Sequence, residues 1–186
     1  MTHSPSERQL VEAAQRSKAA FRQLYQQYSP QVYAYVAYRV GSRWDTEDVV
    51  SEIWLKVIEA FPRFQHQWEG SFRAWLFRIA YHSVTDHFRQ QRSTPALALD
   101  DLPELHSHDL SPDDALARRE EFMRLRGLIQ TLTPRRQEIL TLKFYGGLRN
   151  IEIASILNLD ERTIAAHLCR AIEDLQRQYH EEVQQS

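Results

Sequence analysis

Apolar residues recur along this chain at helical spacing in almost every ordered-looking stretch, and strand-like alternation never extends beyond a few residues. Leu10, Val11 and Ala14, then Phe21, Leu24, Tyr25 and Tyr28, predict an opening helix. Pro30 suits the start of a second, with Val32, Tyr33, Val36, Ala37 and Val40 as its stripe and Gly41 as its C-cap. Asp45 or Thr46 would start a third, facing Val49, Val50, Ile53, Trp54, Val57 and Ile58 inward, and Pro62 would stop it. After a loop from Phe64 to Gly70, Ser71 would cap a fourth helix through Phe72, Trp75, Leu76 and Ile79 to about Arg92. A second block begins near Ser111-Pro112 with a helix through Phe122, Leu125, Leu128 and Ile129. Thr133-Pro134 reads as an N-cap followed by proline at the first helical position. Ile139, Leu140, Leu142 and Phe144 give that helix its apolar side, and Gly146-Gly147 breaks it.

The stretch from Arg149 to Gln176 then forms a helix-turn-helix pattern. Ile153, Ala154 and Leu157 mark a short helix, Asn158-Leu159-Asp160 a tight reversal, and Ile164, Leu168, Ala171 and Leu175 a second helix. Asn158 tolerates the left-handed conformation the reversal needs, and Asp160 can cap the second helix. Such a unit either delivers its second helix to the DNA major groove or is a plain αα-hairpin; the pattern favours DNA. The predicted fold is all-α: a helical domain over 5–92, an acidic flexible linker over 93–117, and a helix-turn-helix domain over 118–180.

Composition narrows the picture. With 186 residues, 42% hydrophobic and 26% charged, the chain is expected to be soluble and globular, of one or two domains. No apolar run approaches the length of a membrane span, and the N-terminus lacks the apolar core of a signal peptide, so a cytoplasmic protein without membrane insertion is expected. The single Cys169 excludes internal disulfides and cysteine-based zinc sites. The net charge of −2 is unevenly spread: residues 1–92 carry +3, 93–120 carry −5, and 121–186 balance to zero. Because phosphate neutralisation drives non-specific DNA binding, the isolated chain should bind duplex weakly, and another partner must supply affinity.

The helix over 71–92 interleaves Arg73, Arg78, Arg89 and Arg92 with Phe72, Trp75, Phe77, Tyr81 and Phe88. That mixture suits a surface that holds phosphates and stacks on unpaired bases, although much of the aromatic content belongs to the core. The third helix instead opens with Asp45, Glu47, Asp48 and Glu52. These acids suit the positive end of the helix dipole, or the docking of a basic protein surface beside Val49 and Trp54.

The order LYQQYSPQVYAYVAYRVG, DTEDVVSEIWLKVIEAFPRF and FRAWLFRIAYHSVTDHFR resembles region 2 of bacterial sigma factors. TPRRQEILTLKFYGGLRNIEIASILNLDERTIAAHLCRAIEDL resembles region 4. The short linker without a third domain points to the extracytoplasmic-function group, and the resemblance spans roughly residues 18–178. It implies a promoter-specificity subunit that binds core RNA polymerase through the β′ clamp helices and the β flap, recognises −35 and −10 promoter elements and helps open DNA. It implies no cofactor, no catalytic residue and no metal ligand. An anti-sigma factor wedged between the domains is a further candidate partner, since family members are often held that way.

Residue by residue, the resemblance places the polymerase contact at Asp45, Asp48, Val49, Ser51 and Glu52, with serine where the family's DLVQE-type segment has glutamine. The −10 element would meet His66, Gln67 and Trp68 of the specificity loop, which also holds Gln65 and Glu69. Arg73, Trp75, Arg78, His82, Asp86 and Arg89 would grip the melted strand, with His82 where the family often has asparagine. Capturing an extruded base needs a stacking pocket and edge contacts. The −35 element would meet Arg162, Thr163, Ala166, His167 and Arg170, with Arg135, Arg136 and Arg149 on phosphates. The family's G-T-V-K-S-R-L type stretch is replaced by Arg162-Thr163-Ile164-Ala165-Ala166-His167-Leu168, which predicts an altered or weaker −35 contact. The acidic linker, with Asp100, Asp101, Glu104 and Asp109, is either a solvated tether or a mimic of transcript charge in the RNA exit path.

Other chemistry is weaker. His82 and His87 face different sides of one helix, His106 and His108 lie in the linker, and Cys169 reads as a small helix residue. No nucleophile–base pair, glycine-rich phosphate loop or paired-carboxylate site appears, so an enzyme is not expected. The alternative is a stand-alone helix-turn-helix regulator whose N-terminal block senses a signal or dimerises; the segments 48–52 and 71–92 argue against it.

Overall fold

A computed structural model describes residues 6–91 and 123–185, and its ordered elements are helices. They are α1 (Glu7–Ala14), α2 (Lys18–Val40), α3 (Arg43–Ala60), a 3-10 turn (Phe61–Arg63), α4 (Ser71–Gln91), α5 (123–130), α6 (Pro134–Phe144), α7 (Asn150–Leu157) and α8 (Glu161–Gln185). The expected linker over 93–117 and the expected helix start near Ser111-Pro112 lie outside the described residues.

Local capping sets most boundaries. Gly41 closes α2 at φ +85°, and Pro134 opens α6, both as the sequence predicts. The opening helix is shorter than expected, because Ser17 caps a new helix by accepting from Ala20 N at 3.5 Å. Pro30 then lies inside α2 instead of starting a helix. Proline removes one rung of the helical ladder, but buried Leu24, Tyr28, Val32, Tyr35 and Val36 form one stripe across it, and burying that stripe keeps the helix continuous. α3 starts at Arg43, where Ser42 Oγ accepts from Asp45 N at 3.4 Å, ahead of the predicted Asp45 or Thr46. Ser71 is the first residue of α4, not its cap; its hydroxyl accepts from Gln67 N at 3.1 Å. Thr133 sits at the N-cap of α6 without a side-chain cap bond.

Phe72 sits at the centre of the aromatic core, with ring centroids of Tyr28, Phe61, Phe64 and Trp75 5.3–5.8 Å away. The two helical groups share this core, since α4 packs on α7 and α2 on α6. Where α2 meets α6, Tyr35 donates to Glu138 Oε1 at 2.6 Å and Arg39 pairs with Glu138 Oε2 at 3.0 Å. Burial pushes the Glu138 carboxyl above the ordinary carboxylate range, against the pull of Arg39 and Tyr35. Four apolar residues of the predicted helix stripes, Tyr25, Ile58, Leu125 and Phe144, are exposed. Their helices carry apolar residues on more than one face, so periodicity alone does not select the buried side.

Candidate nucleic-acid interface

The loop between the 3-10 turn and α4 opens into a cavity of about 360 Å³. Phe64, Trp68 and Trp75 form its aromatic walls, Gln65 and Gln67 offer amide groups, and Arg63 and Arg78 add positive charge. Trp75 is fixed against Phe64, with centroids 4.9 Å apart, so one wall is pre-set before any ligand arrives. Aromatic faces, amides and cations around one concavity can stack a planar ring, read its edge and hold its phosphate. Gln67 and Trp68, expected in the base-capturing loop, and Trp75 and Arg78, expected on the strand-gripping helix, line this one cavity.

His66 does not. Its ring turns inward, to 9% side-chain exposure, and Nε2 lies 3.2 Å from Glu7 Oε1 without hydrogen-bond geometry. His82 and Arg89 stand exposed further along α4, and Asp86 pairs with Arg89 at 2.9 Å. Gln65, expected in the loop, lines the cavity too, as does Arg63, whose only sequence signal is its position just before the loop.

On α3, Asp48, Ser51 and Glu52 are exposed and Asp45 is half-buried. Val49, expected at the docking surface, is buried, because it shares the inward face with Ile53 one turn on. In its place the exposed face presents Trp44 (73% exposed), Leu55 (61%) and Ile58 (54%), interspersed with Glu47, Asp48 and Glu52. The signal for this stripe was the 44, 48, 51, 55, 58 spacing, which runs at helical period on the face opposite Val49 and Ile53.

The helix-turn-helix is local in construction. Asn158 ends α7 in the left-handed region, at φ 53° and ψ 50°. Asp160 accepts from Thr163 N at 2.8 Å and from the Thr163 hydroxyl at 2.6 Å, which holds its carboxyl below the usual range. Arg162, Ala166 and Arg170 are exposed on α8, while Thr163 is tied to the cap. His167 is half-buried, and burial, then the neighbouring Arg136, Arg135 and Arg170, lowers its pKa, so the ring stays neutral at pH 7. Arg135 is exposed, but Arg136 is held by Asp174. Cys169 donates to Glu173 at 3.2 Å, a contact that raises the thiol pKa and keeps it protonated.

Several of these cations also hold the two helical groups together. Arg78 donates to the Ser155 carbonyl at 2.5 Å and to its hydroxyl at 3.0 Å, and Ser155 lines the cavity. Arg73 donates to the Gly147 carbonyl at 3.0 Å, and Arg149 to the Glu69 carbonyl. Buried Glu152 accepts from Arg149 N at 2.6 Å, pairs with Arg149 Nη2 at 3.3 Å and approaches Arg73 Nη1 at 4.0 Å. Gly70, at φ +97°, lies so close to Glu152 and Arg149 that a Cβ there would meet both.

Among the described residues no helix is long and apolar enough to cross a membrane. Residues 24–94 match the family model Sigma-70 region 2, and residues 122–175 match Sigma-70, region 4. The chain is 35% identical over 170 residues to the ECF RNA polymerase sigma factor BldN of Streptomyces coelicolor, covering 91% of this chain but only 64% of BldN. It is 33% identical over 142 residues to the ECF RNA polymerase sigma factor SigC of Mycobacterium tuberculosis, covering 75% of this chain and 72% of SigC. Its fold is similar to that of CnrH, solved in complex with the cytosolic domain of CnrY, at a TM-score of 0.69 and 21% identity, covering 92% of this chain and 95% of CnrH. With both regions in order over one shared helical core, the chain belongs to the extracytoplasmic-function sigma factors of the sigma-70 family.

Proposed function

We propose that this chain is a cytoplasmic promoter-specificity subunit, not an enzyme, that binds core RNA polymerase and recognises −10 and −35 elements. The cavity at the start of α4 carries the reading: it combines aromatic walls, two amides and two arginines in a volume suited to one extruded base. The helical groups over 5–92 and 118–180 act as separate units on the promoter, joined by the linker over 93–117. The stripe of Trp44, Asp48, Ser51, Glu52, Leu55 and Ile58 docks on the β′ clamp helices, its acids steering it and its apolar residues supplying burial. α8 presents Arg162, Ala166 and Arg170 to the −35 major groove, with His167 at the edge and Arg135 near a phosphate; the rest of this group of helices rests on the β flap.

Arg73, Arg78 and Arg149 contact protein groups across the α4–α7 contact, so engaging DNA requires α7 to leave α4. A protein held between the two groups would block the same surfaces, and an anti-sigma factor is the regulatory partner this suggests. The test is reconstitution with core polymerase and transcription from a promoter library. Open complexes on a defined −10/−35 pair are expected with the wild type and not with Trp68→Ala or Trp75→Ala. Failure of the wild type to bind core polymerase would end the proposal in favour of a stand-alone regulator.

A further inference from the structure

The region 2 match begins at residue 24, so α1 (Glu7–Ala14) lies outside it. α1 nevertheless touches both ends of the loop that forms the cavity. At the far end, Glu7 is 8% exposed, and Oε1 accepts from Gly70 N at 2.9 Å and Phe72 N at 3.1 Å. Its Oε2 accepts from Arg73 N at 3.4 Å and from the Tyr28 hydroxyl at 3.1 Å. Glu7 N in turn donates to Glu69 Oε1 at 3.3 Å. At the near end, Gln15 Nε2 donates to the Phe64 carbonyl at 2.7 Å and the Phe61 carbonyl at 3.4 Å. Leu10, Val11 and Ala14 are buried between the two and fasten α1 to the core.

A helix start leaves several backbone N–H groups without partners and carries positive potential. In α4 those of Phe72 and Arg73, and that of Gly70 just before, are satisfied by Glu7, from an element more than sixty residues earlier. Ser71 N donates to the Trp68 carbonyl, and Ser71 Oγ accepts from Gln67. The stretch between the two anchor points contains Phe64, Gln65, Gln67 and Trp68, the loop's contribution to the cavity. Neither Glu7 nor Gln15 lines the cavity. Both act through backbone groups that set the loop's path, and a binding loop left unanchored loses affinity to its own ordering.

We propose that α1 is a brace for the base-reading loop, and that Glu7 and Gln15 are positioning residues for −10 recognition. This rests on the cavity being the −10 base site. The full chain, assembled with core polymerase, would be titrated with single-stranded −10 oligonucleotides carrying each of the four bases at the captured position. The same variants would be scored for core affinity, for −35 base substitution profile and for thermal unfolding. Glu7→Ala and Gln15→Ala are expected to weaken the preferred oligonucleotide roughly tenfold, the scale of one lost hydrogen bond, and to compress the difference between bases. Glu7→Gln, which keeps an acceptor for Gly70 and Phe72, should retain more of both. Core affinity and the −35 profile should stay as in wild type. Gln15 is exposed, so its variant carries the test even where Glu7→Ala fails to fold.

Wild-type base preference in both alanine variants, with Trp68→Ala losing it, would overturn the brace and leave the cavity reading intact. An equal decline of −10, −35 and core binding would also overturn it, reducing α1 to a stabilising element. Unchanged −10 binding in Trp68→Ala would remove the cavity reading and the brace together.

Discussion

Region 2 and region 4, each proposed to present side chains to DNA, are built by opposite means. In region 4 the proposed reading helix is set by neighbours in sequence: Asn158 reverses the chain and Asp160 caps α8 through Thr163, three residues away. In region 2 the proposed reading surface is a concavity, and the groups that fix it are distant. Glu7 reaches Gly70, Phe72 and Arg73, and Phe72 gathers Tyr28, Phe61, Phe64 and Trp75. A helix laid in a groove needs only a correct start, whereas a pocket for one base needs several walls held at once. Damage should therefore spread further in region 2 than in region 4.

The largest test of that contrast is Phe72→Ala. Removing a fully buried ring with four aromatic neighbours should cost about 3–5 kcal/mol in urea unfolding and abolish −10 binding. A loss below about 1 kcal/mol would mean that the region 2 core tolerates a hole, contrary to close packing.

Next comes the contact that joins the two regions. Glu152→Ala removes a buried carboxylate that serves Arg149 and faces Arg73, and should cost about 2 kcal/mol. X-ray scattering should show a larger radius of gyration, and the free chain should bind a −10 single strand more tightly as Arg73 is released. An unchanged scattering profile would show that apolar packing and the Arg73 and Arg78 hydrogen bonds hold α7 to α4 without Glu152.

A smaller effect belongs to region 4 alone. Asp160→Ala should cost about 1 kcal/mol, the usual value of an N-cap, and weaken −35 duplex binding while −10 single-strand binding is kept. Loss of both activities would contradict the independence of the two reading surfaces.

The smallest is a pH dependence at the α2–α6 contact. The Glu138 carboxyl is raised in the folded chain, so its contribution is full below the unfolded carboxylate pKa and is lost as pH rises through the raised value. Unfolding midpoints followed across that acid range should show the decline in wild type and a flatter line in Glu138→Gln. Parallel profiles would assign the decline to other groups.

How legible each region was follows from the same contrast. Asn158, Asp160, Pro134 and Gly41 act on residues within a few positions, and the sequence announces all four. Ser71 resembled a cap because its residue type suits one, yet its hydroxyl serves Gln67 and the cap comes from Glu7. His66 resembled a base contact for the same reason, and the fold turns it toward that carboxylate. Pro30 carried a strong local signal that burial on either side overrode. On α3, Val49 is buried as its spacing predicts, although the resemblance places it at the docking surface. Ile58, expected inward, is exposed, because apolar residues lie on both faces and only tertiary packing chooses between them. Family resemblance supplied Gln67, Trp68, Trp75 and Arg78 of the cavity, but neither Arg63 nor the brace that shapes it.

Ser155 gives the cavity a wall that belongs to region 4. Filling the cavity and keeping α7 seated are therefore joined in one thermodynamic cycle. By whatever factor the seated α7 changes the affinity for a base, a bound base changes the seating of α7 by the same factor. A promoter strand and a protein that pulls region 4 away would then act on one equilibrium from its two ends, and measuring either half of the cycle fixes the other.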